Sequence, residues 1–551
     1  MKSLRSCLSR HYLGKYDRTS PLMKEPATNI GSCFRKNQDD TDRAVNVLHQ
    51  NRITDLKHDF LNNDHGTSDH LFSPLQKTVT LGITLLFLLG FSSFCVAAPD
   101  PPNSTGAFSS STNTVSTTSK NPGSKSKNYD SAEIDTSPVP EDLRPFEAPL
   151  AQGHLLGDWA TVRTNMEDHG ITPSVTFETD LAGNVSGGRS TGFAEADNLG
   201  LNLVFDLKKL ADIPGATFLA SAAQRSGSSL SQDRIGNVFS VQQVYGGETF
   251  HLIDLAWQQE LLNDRVEVVL GRIAAGDDFL VSVADYLWMQ NAFDGNPVGI
   301  FFNAPGMTAY PAATWGARVK IRPTPRSYLM GGIYNGDPSI RSDAYHGANF
   351  TLHGPLYVMG EGCYQVNGLP GDSLYRGDYK VGFWYDNSVF TDYNTVGYGT
   401  PSSTVRGGWG VYSLFDQVIF PFGTRASQRG LAVFGSVIAT TREDISQMPW
   451  FFTFGFICRG AFSSRPTDLM GVAAAYGQFS GDLFDAESRE HIMDPTIDPQ
   501  THESVIEASY RFRFDKNSLF FQPNVQYVIN PGGTEKYNNA LVLGCQIGVN
   551  F

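Results

Sequence analysis

Hydrophobic and polar residues alternate along most of the chain beyond residue 171. The last segment shows the pattern clearly, with apolar residues at Leu541, Leu543, Cys545, Ile547 and Val549 and mostly polar or small residues between them. A period of two is typical of a β-strand whose two faces meet different environments. The segments 199–207, 506–514 and 519–529 repeat this alternation. The sequence therefore predicts an all-β domain.

One segment has a helical period instead. Its apolar residues are Leu155, Leu156, Trp159, Val162 and Met166, and Gly170 follows. This spacing places them on one stripe of a helix that a glycine ends. We predict a short helix over 155–169, within a segment 151–170 on the periplasmic side.

The connections between the predicted strands alternate in length. Short connections lie at 208–215, 260–265, 323–326 and 515–518, and long ones lie at 227–250, 274–312 and 481–503. Transmembrane β-barrels have short periplasmic turns and long extracellular loops, whereas a soluble sandwich has little reason to sort its loops by end. At about ten residues per strand, the length from 171 to 551 predicts a transmembrane antiparallel β-barrel of about 16 strands. A barrel of that size leaves an aqueous channel.

The barrel assigns an environment to each face of a strand. Outward side chains meet lipid, and inward side chains can meet water. The outward parity includes four aromatic residues near the predicted periplasmic edge, which fit an interfacial girdle: Phe512, Phe514, Phe521 and Phe551. The alternative is that these rings belong to the core of a soluble sandwich.

The N-terminal part of the chain has a different composition. Residues 79–98 are continuously apolar, Lys77 precedes them, and small residues end the stretch. These features predict a signal peptide over 77–98, with a permanent membrane anchor as the alternative. Residues 1–76 then form an upstream leader of doubtful status, consistent with a start site assigned too early. Residues 99–150 are rich in Ser, Thr and Pro, which predicts a flexible linker.

Charge and motifs narrow the function. The chain of 551 residues carries a formal net charge of -14, which disfavours nucleic acid as a partner. We find no catalytic motif or paired-carboxylate arrangement, and we expect no enzyme activity and no cofactor. Beyond the leader, Cys363, Cys458 and Cys545 have no metal-binding spacing and are interpreted as apolar fillers.

Several segments together resemble the OprB-type carbohydrate-selective porins of Gram-negative outer membranes. They lie at 157–171, 181–188, 270–279, 310–325, 465–477 and 529–551. The resemblance implies a 16-stranded sugar channel, monomeric or associated as a homo-oligomer, that is exported to the outer membrane and surrounded by its lipid. It also implies that Phe551, matching the family's terminal phenylalanine, is an assembly signal read by the outer-membrane assembly machinery.

The long connection 274–312 is a candidate constriction. It contains Asp277, Asp278 and Trp288, and such a mixture of carboxylates and aromatic rings suits the hydroxyls and C–H faces of sugars. The alternative is a solvated external loop whose polar residues form turns. The paired aspartates lack the spaced ligand series of a calcium site, so we predict no metal.

Charged residues on the strands are further candidates. We predict that the channel is lined by Arg225, Arg272, Arg318, Glu507 and Arg511. A charge facing lipid near the midplane would cost about 2–4 kcal/mol, so these side chains should face water. The alternative is that they pair with neighbouring carboxylates and stabilise the wall.

The sequence thus predicts passive diffusion of small sugars through a water-filled barrel. Two alternatives stay open at this stage. One is a general diffusion porin without sugar preference, and the other is a secreted or tethered β-rich protein that binds glycans.

Overall fold

The computed structural model describes residues 153–247, 249–337, 339, 346–369, 371–399, 401–422, 429–514 and 518–551, apart from the side chain of residue 283. The predicted leader (1–76), signal peptide (77–98) and linker (99–150) lie outside the described residues.

The described chain forms one closed antiparallel barrel of sixteen strands in sequence order. The strands are β1 (Ile171–Ser186), β2 (Gly192–Asp206), β3 (Ala216–Gly227), β4 (Thr249–Leu261), β5 (Val266–Ile273), β6 (Thr314–Thr324), β7 (Ser327–Asn335), β8 (Leu356–Val366), β9 (Gly377–Thr391), β10 (Thr404–Pro421), β11 (Gly430–Ala439), β12 (Trp450–Arg459), β13 (Leu469–Gln478), β14 (His502–Phe514), β15 (Leu519–Ile529) and β16 (Ala540–Asn550). Thr179 of β1 pairs with Ile547 of β16, and this pairing closes the ring. The predicted barrel of about 16 strands is confirmed.

The two faces of each strand differ as the alternation predicts. On β16, Leu543 is 49% exposed, whereas Val542 and Gln546 on the other face are buried. On β9, Val381 and Phe383 are exposed, and Lys380 and Trp384 on the other face are buried. Hydrocarbon offers no hydrogen-bond partner to a backbone, so a closed ring of paired strands is required. The apolar residues therefore coat the outside, and the polar ones face inward.

Among the described residues, three α-helices accompany the barrel: α1 (Val162–Asp168) precedes β1, α2 (Leu207–Ala211) lies in the β2–β3 turn, and α3 (Gly481–Met493) lies in the β13–β14 loop. In the part of the chain that the structure describes, no helix is long and apolar enough to cross a membrane. Short turns and α1 share one end of the barrel, and the long loops share the other.

Helix α1 is shorter than the predicted helix 155–169. Trp159, Ala160 and Thr161 have φ of 49°, 56° and 73°, values in the left-handed region that interrupt a right-handed helix. The segment before α1 instead docks on the end of the barrel. The Leu155 N–H donates to the Asn550 carbonyl at 2.8 Å, and the Arg163 guanidinium donates to the main-chain oxygen of Phe551 at 2.8 Å. Because of these contacts with the C-terminal end of the chain, residues 155–161 do not continue the helix that the apolar spacing predicts.

Candidate channel lining

The long β5–β6 loop (274–313) lies inside the barrel. Its central side chains, including Trp288, Met289, Phe293 and Ile300, are fully buried. A loop in this position must find partners for its own backbone groups, because a buried N–H without an acceptor is costly. Inward side chains of the distant strands provide these partners.

Glu507 on β14 holds the middle of the loop. Its carboxylate accepts the N–H of Met289 at 3.1 Å and the N–H of Gln290 at 2.9 Å. The side chain of Gln290 also donates to Gln526 on β15 at 3.3 Å. Glu507 was predicted as a lining residue, but in the structure it is fully buried and binds the loop backbone.

Two further carboxylates hold the remaining parts of the loop. Glu361 on β8 accepts the Leu280 N–H at 3.0 Å, and Asp386 on β9 accepts the Gly306 N–H at 2.6 Å. The loop is thus attached to β8, β9 and β14, and its path is fixed by charge-assisted hydrogen bonds.

Apolar packing adds to these polar anchors at Trp288. Its ring centroid lies 5.2 Å from that of Phe293 and 5.8 Å from that of Phe434 on β11. Its indole N–H donates to the Ala284 carbonyl at 2.8 Å. Trp288, predicted as a sugar contact, has no exposed ring face, because it fastens the loop to the wall.

The β3–β4 loop (228–248) fills part of the same side. Glu503 on β14 accepts the N–H groups of Val238 and Phe239, the latter at 2.7 Å. The two inner loops also bond to each other, since the Gln243 N–H donates to the Met289 carbonyl at 2.7 Å. Together they occupy the part of the lumen bounded by β7–β16 and by β1, where Asp180 accepts the Val244 N–H at 3.3 Å. This part is here called the filled half.

The opposite part of the lumen, bounded by β2–β6, contains an open cavity and is here called the open half. The empty volume of this cavity is about 710 Å³, counted with its open mouth. Its polar lining comes from four strands and the start of the β5–β6 loop: Asn202, Ser221, Asp254, Gln258, Asp277, Asp278 and Arg318. Three of the predicted residues, Asp277, Asp278 and Arg318, are therefore brought together here.

Ion pairs and hydrogen bonds order this lining. The Arg318 guanidinium forms ion pairs with Glu267 on β5 and with Asp278 on the loop, the latter at 2.7 Å. The Ser221 hydroxyl donates to Asp254 at 2.5 Å. Donors and acceptors are thus fixed along one wall, an arrangement suited to binding hydroxyl groups in passing.

Two other predicted arginines face inward but are bound within the wall. Arg225 donates to Asn198 at 3.3 Å, and its guanidinium carbon lies 5.0 Å from the Tyr310 ring centroid. Arg511 donates to Gln546 at 3.2 Å, and its guanidinium carbon lies 4.3 Å from the Phe520 centroid.

Arg272, which is predicted to line the channel, lies on the outward parity of β5 in the structure. It pairs with Leu255 and Trp315, and it alternates with the exposed Leu270. The side chain is nevertheless fully buried and donates to the Leu252 carbonyl at 3.2 Å. The Leu252 N–H in turn donates to the His346 carbonyl of the β7–β8 loop at 3.0 Å. Packing at this outer edge keeps the guanidinium away from lipid.

Several residues that hold the loop or line the cavity are not singled out by the sequence pattern. The wall carboxylates Glu361, Asp386 and Glu503 and the cavity residues Ser221, Asp254 and Gln258 were not proposed from the sequence. Strand parity could have placed Glu361 and Gln258 on the inner face, but it could not tell a loop anchor from a cavity residue. Within the described residues, no three His, Cys, Asp or Glu side chains are grouped so as to hold a metal ion.

Burial affects the acids on the inner loop. Desolvation raises the pKa of Asp294 well above its usual value, although Arg511 opposes the shift. Desolvation likewise raises the pKa of Asp285, despite the hydrogen bond from the Ser282 N–H. Both carboxyls favour the neutral form more than an exposed aspartate does.

Comparison with known proteins agrees with this architecture. Residues 190–551 match the model of the family described as carbohydrate-selective porin, OprB family. Porin B of Pseudomonas aeruginosa is 28% identical over 441 residues, which cover 72% of this chain and 91% of that protein. A putative porin, QuiX, of Acinetobacter baylyi is 27% identical over 439 residues, which cover 72% of this chain and 93% of that protein.

A solved structure supports the same assignment. The high-pH structure of Pseudomonas putida OprB superimposes with a TM-score of 0.66 at 25% identity, covering 73% of this chain and 99% of that chain. The family match covers most of the barrel, and the chain resembles these porins in both sequence and fold. The chain belongs to the OprB family of carbohydrate-selective porins and forms a sugar channel in the outer membrane of a Gram-negative bacterium.

Proposed function

We propose that carbohydrates cross this porin along the open half, with the β5–β6 loop narrowing the channel from the opposite side. One observation carries the proposal. Inward side chains such as Asn202, Asp254 and Gln258 keep partial exposure, whereas Gln522 and Gln526 on the filled half are fully buried. Water and solute have room beside the first set and none beside the second.

The chemistry of this wall suits neutral polyols. Asp254 and Asp277 offer acceptors to sugar hydroxyls, and Gln258 offers both a donor and an acceptor. Leu219 and Val204 beside them present apolar surface to the C–H groups of a ring. A sugar that exchanges its water for these wall groups keeps most of its hydrogen bonds, so it can enter and leave the site readily. Transport is then diffusion down the concentration gradient, with brief binding to the wall.

A thiol-accessibility experiment tests the path. The native cysteines are first replaced, and Gln258→Cys and Gln526→Cys are then compared as inward glutamines from the two halves. A water-soluble thiosulfonate reagent should modify Cys at 258 and reduce conductance, and should leave 526 unmodified. Modification of 526 and not of 258 would contradict the proposed path.

We also propose that Phe551 acts as the assembly signal for the outer-membrane machinery. It ends the last strand, and its N–H donates to the Val175 carbonyl of β1 at 3.0 Å, at the seam where the barrel closes. Phe551→Ala should lower the amount of folded barrel in the outer membrane. Phe514→Ala, which alters another outward phenylalanine, is the matched control and should leave the yield higher.

A further inference from the structure

The charged groups around the open half differ in exposure according to their sign. Three carboxylates on the wall or at the start of the inner loop are partly exposed: Asp254, Asp277 and Asp278. Asp294, farther along the loop, is also partly exposed, but burial favours its neutral form. Arg225 and Arg318 of the open half and Arg511 on β14 of the filled half are almost fully buried, with exposures of 4%, 3% and 5%. Water in this half therefore meets acids more than guanidinium groups.

The arginine donors are also occupied within the protein. Arg318 is held between Glu267 and Asp278, and Arg225 donates to Asn198 and to the carbonyl of Tyr245 at 3.4 Å. Arg511 donates to Gln522 and Gln546. The two carboxylate partners of Arg318 offset its charge, and the charge of Glu178 on β1 opposes those of Arg225 and Arg511.

Two basic side chains near the periplasmic end are partly exposed. Lys320 places its ammonium 4.8 Å from the Tyr328 ring centroid, and Arg322 approaches Glu267 at 3.5 Å. They follow Arg318 on the inward face of β6 toward the periplasmic end, and Lys320 lies near enough to Asp278 to interact with it electrostatically. Beside the start of the inner loop, the open half is thus lined by more partly exposed acids than bases.

From this arrangement we infer that the porin discriminates among solutes by charge, passing neutral and amino sugars more readily than acidic sugars such as uronates and sugar phosphates. The inference rests on the proposed path through the open half. Acids in a narrow water-filled passage with low-dielectric walls concentrate cations and repel anions. Sugar hydroxyls still bind to the same carboxylates, so neutral sugars pass.

Two measurements test the inference on the full-length protein. In planar bilayers with a KCl gradient, the reversal potential should have the sign of cation preference, and raising the salt should weaken it because the Debye length falls from about 10 Å at 0.1 M to about 3 Å at 1 M. In liposome swelling, glucosamine and glucose should enter faster than glucuronate. A reversal potential at zero or of the opposite sign would overturn the inference.

Variants locate the charge. The double variant Asp254→Asn/Asp277→Asn removes two charges at nearly constant shape, and the permeability ratio of K⁺ to Cl⁻ should fall at least about threefold. Asp485→Asn removes one charge from the exposed helix α3 outside the lumen and should leave the ratio unchanged. An unchanged ratio in the double variant would refute the inference, provided that heat-modifiable gel migration shows a folded barrel.

The outcomes separate the inference from the proposed path. If the reagent modifies Cys at 258 and the channel shows no charge preference, the path holds and the inference fails. If Cys at 526 is modified instead, the path itself fails.

Discussion

The filled and open halves of the lumen are built from strands of the same kind, yet inward carboxylates bind a loop in one half and face water in the other. In the filled half, Glu361, Asp386 and Glu507 accept main-chain N–H groups of the β5–β6 loop. In the open half, Asp254 and Asp277 stay within reach of water. An inward polar residue is therefore a channel residue only where no loop covers it.

The physical cause is the need to satisfy buried backbone groups. A loop that enters the lumen brings donors that water can no longer reach, and leaving one without an acceptor costs about 1–3 kcal/mol. Wall carboxylates meet this need and turn half of the barrel into a packed core. The other half keeps the solvent that transport requires.

The strongest test of this contrast is Trp288→Ala. Removing a buried aromatic side chain should cost about 3–5 kcal/mol and loosen the loop from the filled half. We expect higher single-channel conductance and more current noise in planar bilayers. Trp288→Phe keeps most of the packing and should keep sugar block near wild type, whereas loss of sugar block with unchanged conductance would show that the indole contacts sugar.

Glu507→Ala should have the next largest effect. It leaves the Met289 and Gln290 N–H groups without their acceptor, at about 1–3 kcal/mol for each donor. The channel should admit larger sugars in liposome swelling while the barrel still resists unfolding in detergent until heated. Glu507→Gln retains an acceptor oxygen, so its sugar size limit should fall between those of the wild type and Glu507→Ala. Equal size limits in all three proteins would argue against the anchoring role.

A smaller effect is expected from Gln258→Leu in the open half. The loss of one hydrogen-bonding group should weaken sugar binding by about 1 kcal/mol, or roughly fivefold, in current-block titrations. Ser436→Ala is the control in the filled half, where the Ser436 hydroxyl bonds with that of Thr453 at 2.7 Å. Equal weakening in both variants would remove the distinction between the halves.

The smallest expected effect is on pH dependence and comes from Asp294. Burial raises the pKa of Asp294, and Glu178 and Glu507 raise it further, while Arg511 and the Trp288 N–H act against them. The carboxyl is neutral below its raised pKa and gains charge as the pH rises through it. Cation preference should therefore increase slightly with pH, and Asp294→Asn should remove that increment from the reversal potential.

The candidate site shows where sequence reasoning stopped. Alternation predicts inward strand faces for Arg225, Arg318 and Arg511. Their contacts with Tyr310 on the β5–β6 loop, Glu267 on β5 and Phe520 on β15 depend on other parts of the chain. For Arg272, strict alternation with Leu270 gives the outward face, and the charge is tolerated there because packing at the outer edge buries it.

The sequence by itself determined the barrel, the size of its lumen and the end at which the long loops lie. These features follow from a period of two and from the spacing of strands, which are local properties of the chain. Tertiary structure alone decided that the β5–β6 loop folds inward and which inward side chains it covers. Contacts such as Glu507 with Met289 join residues far apart in sequence, and no local pattern specifies which wall a loop will meet.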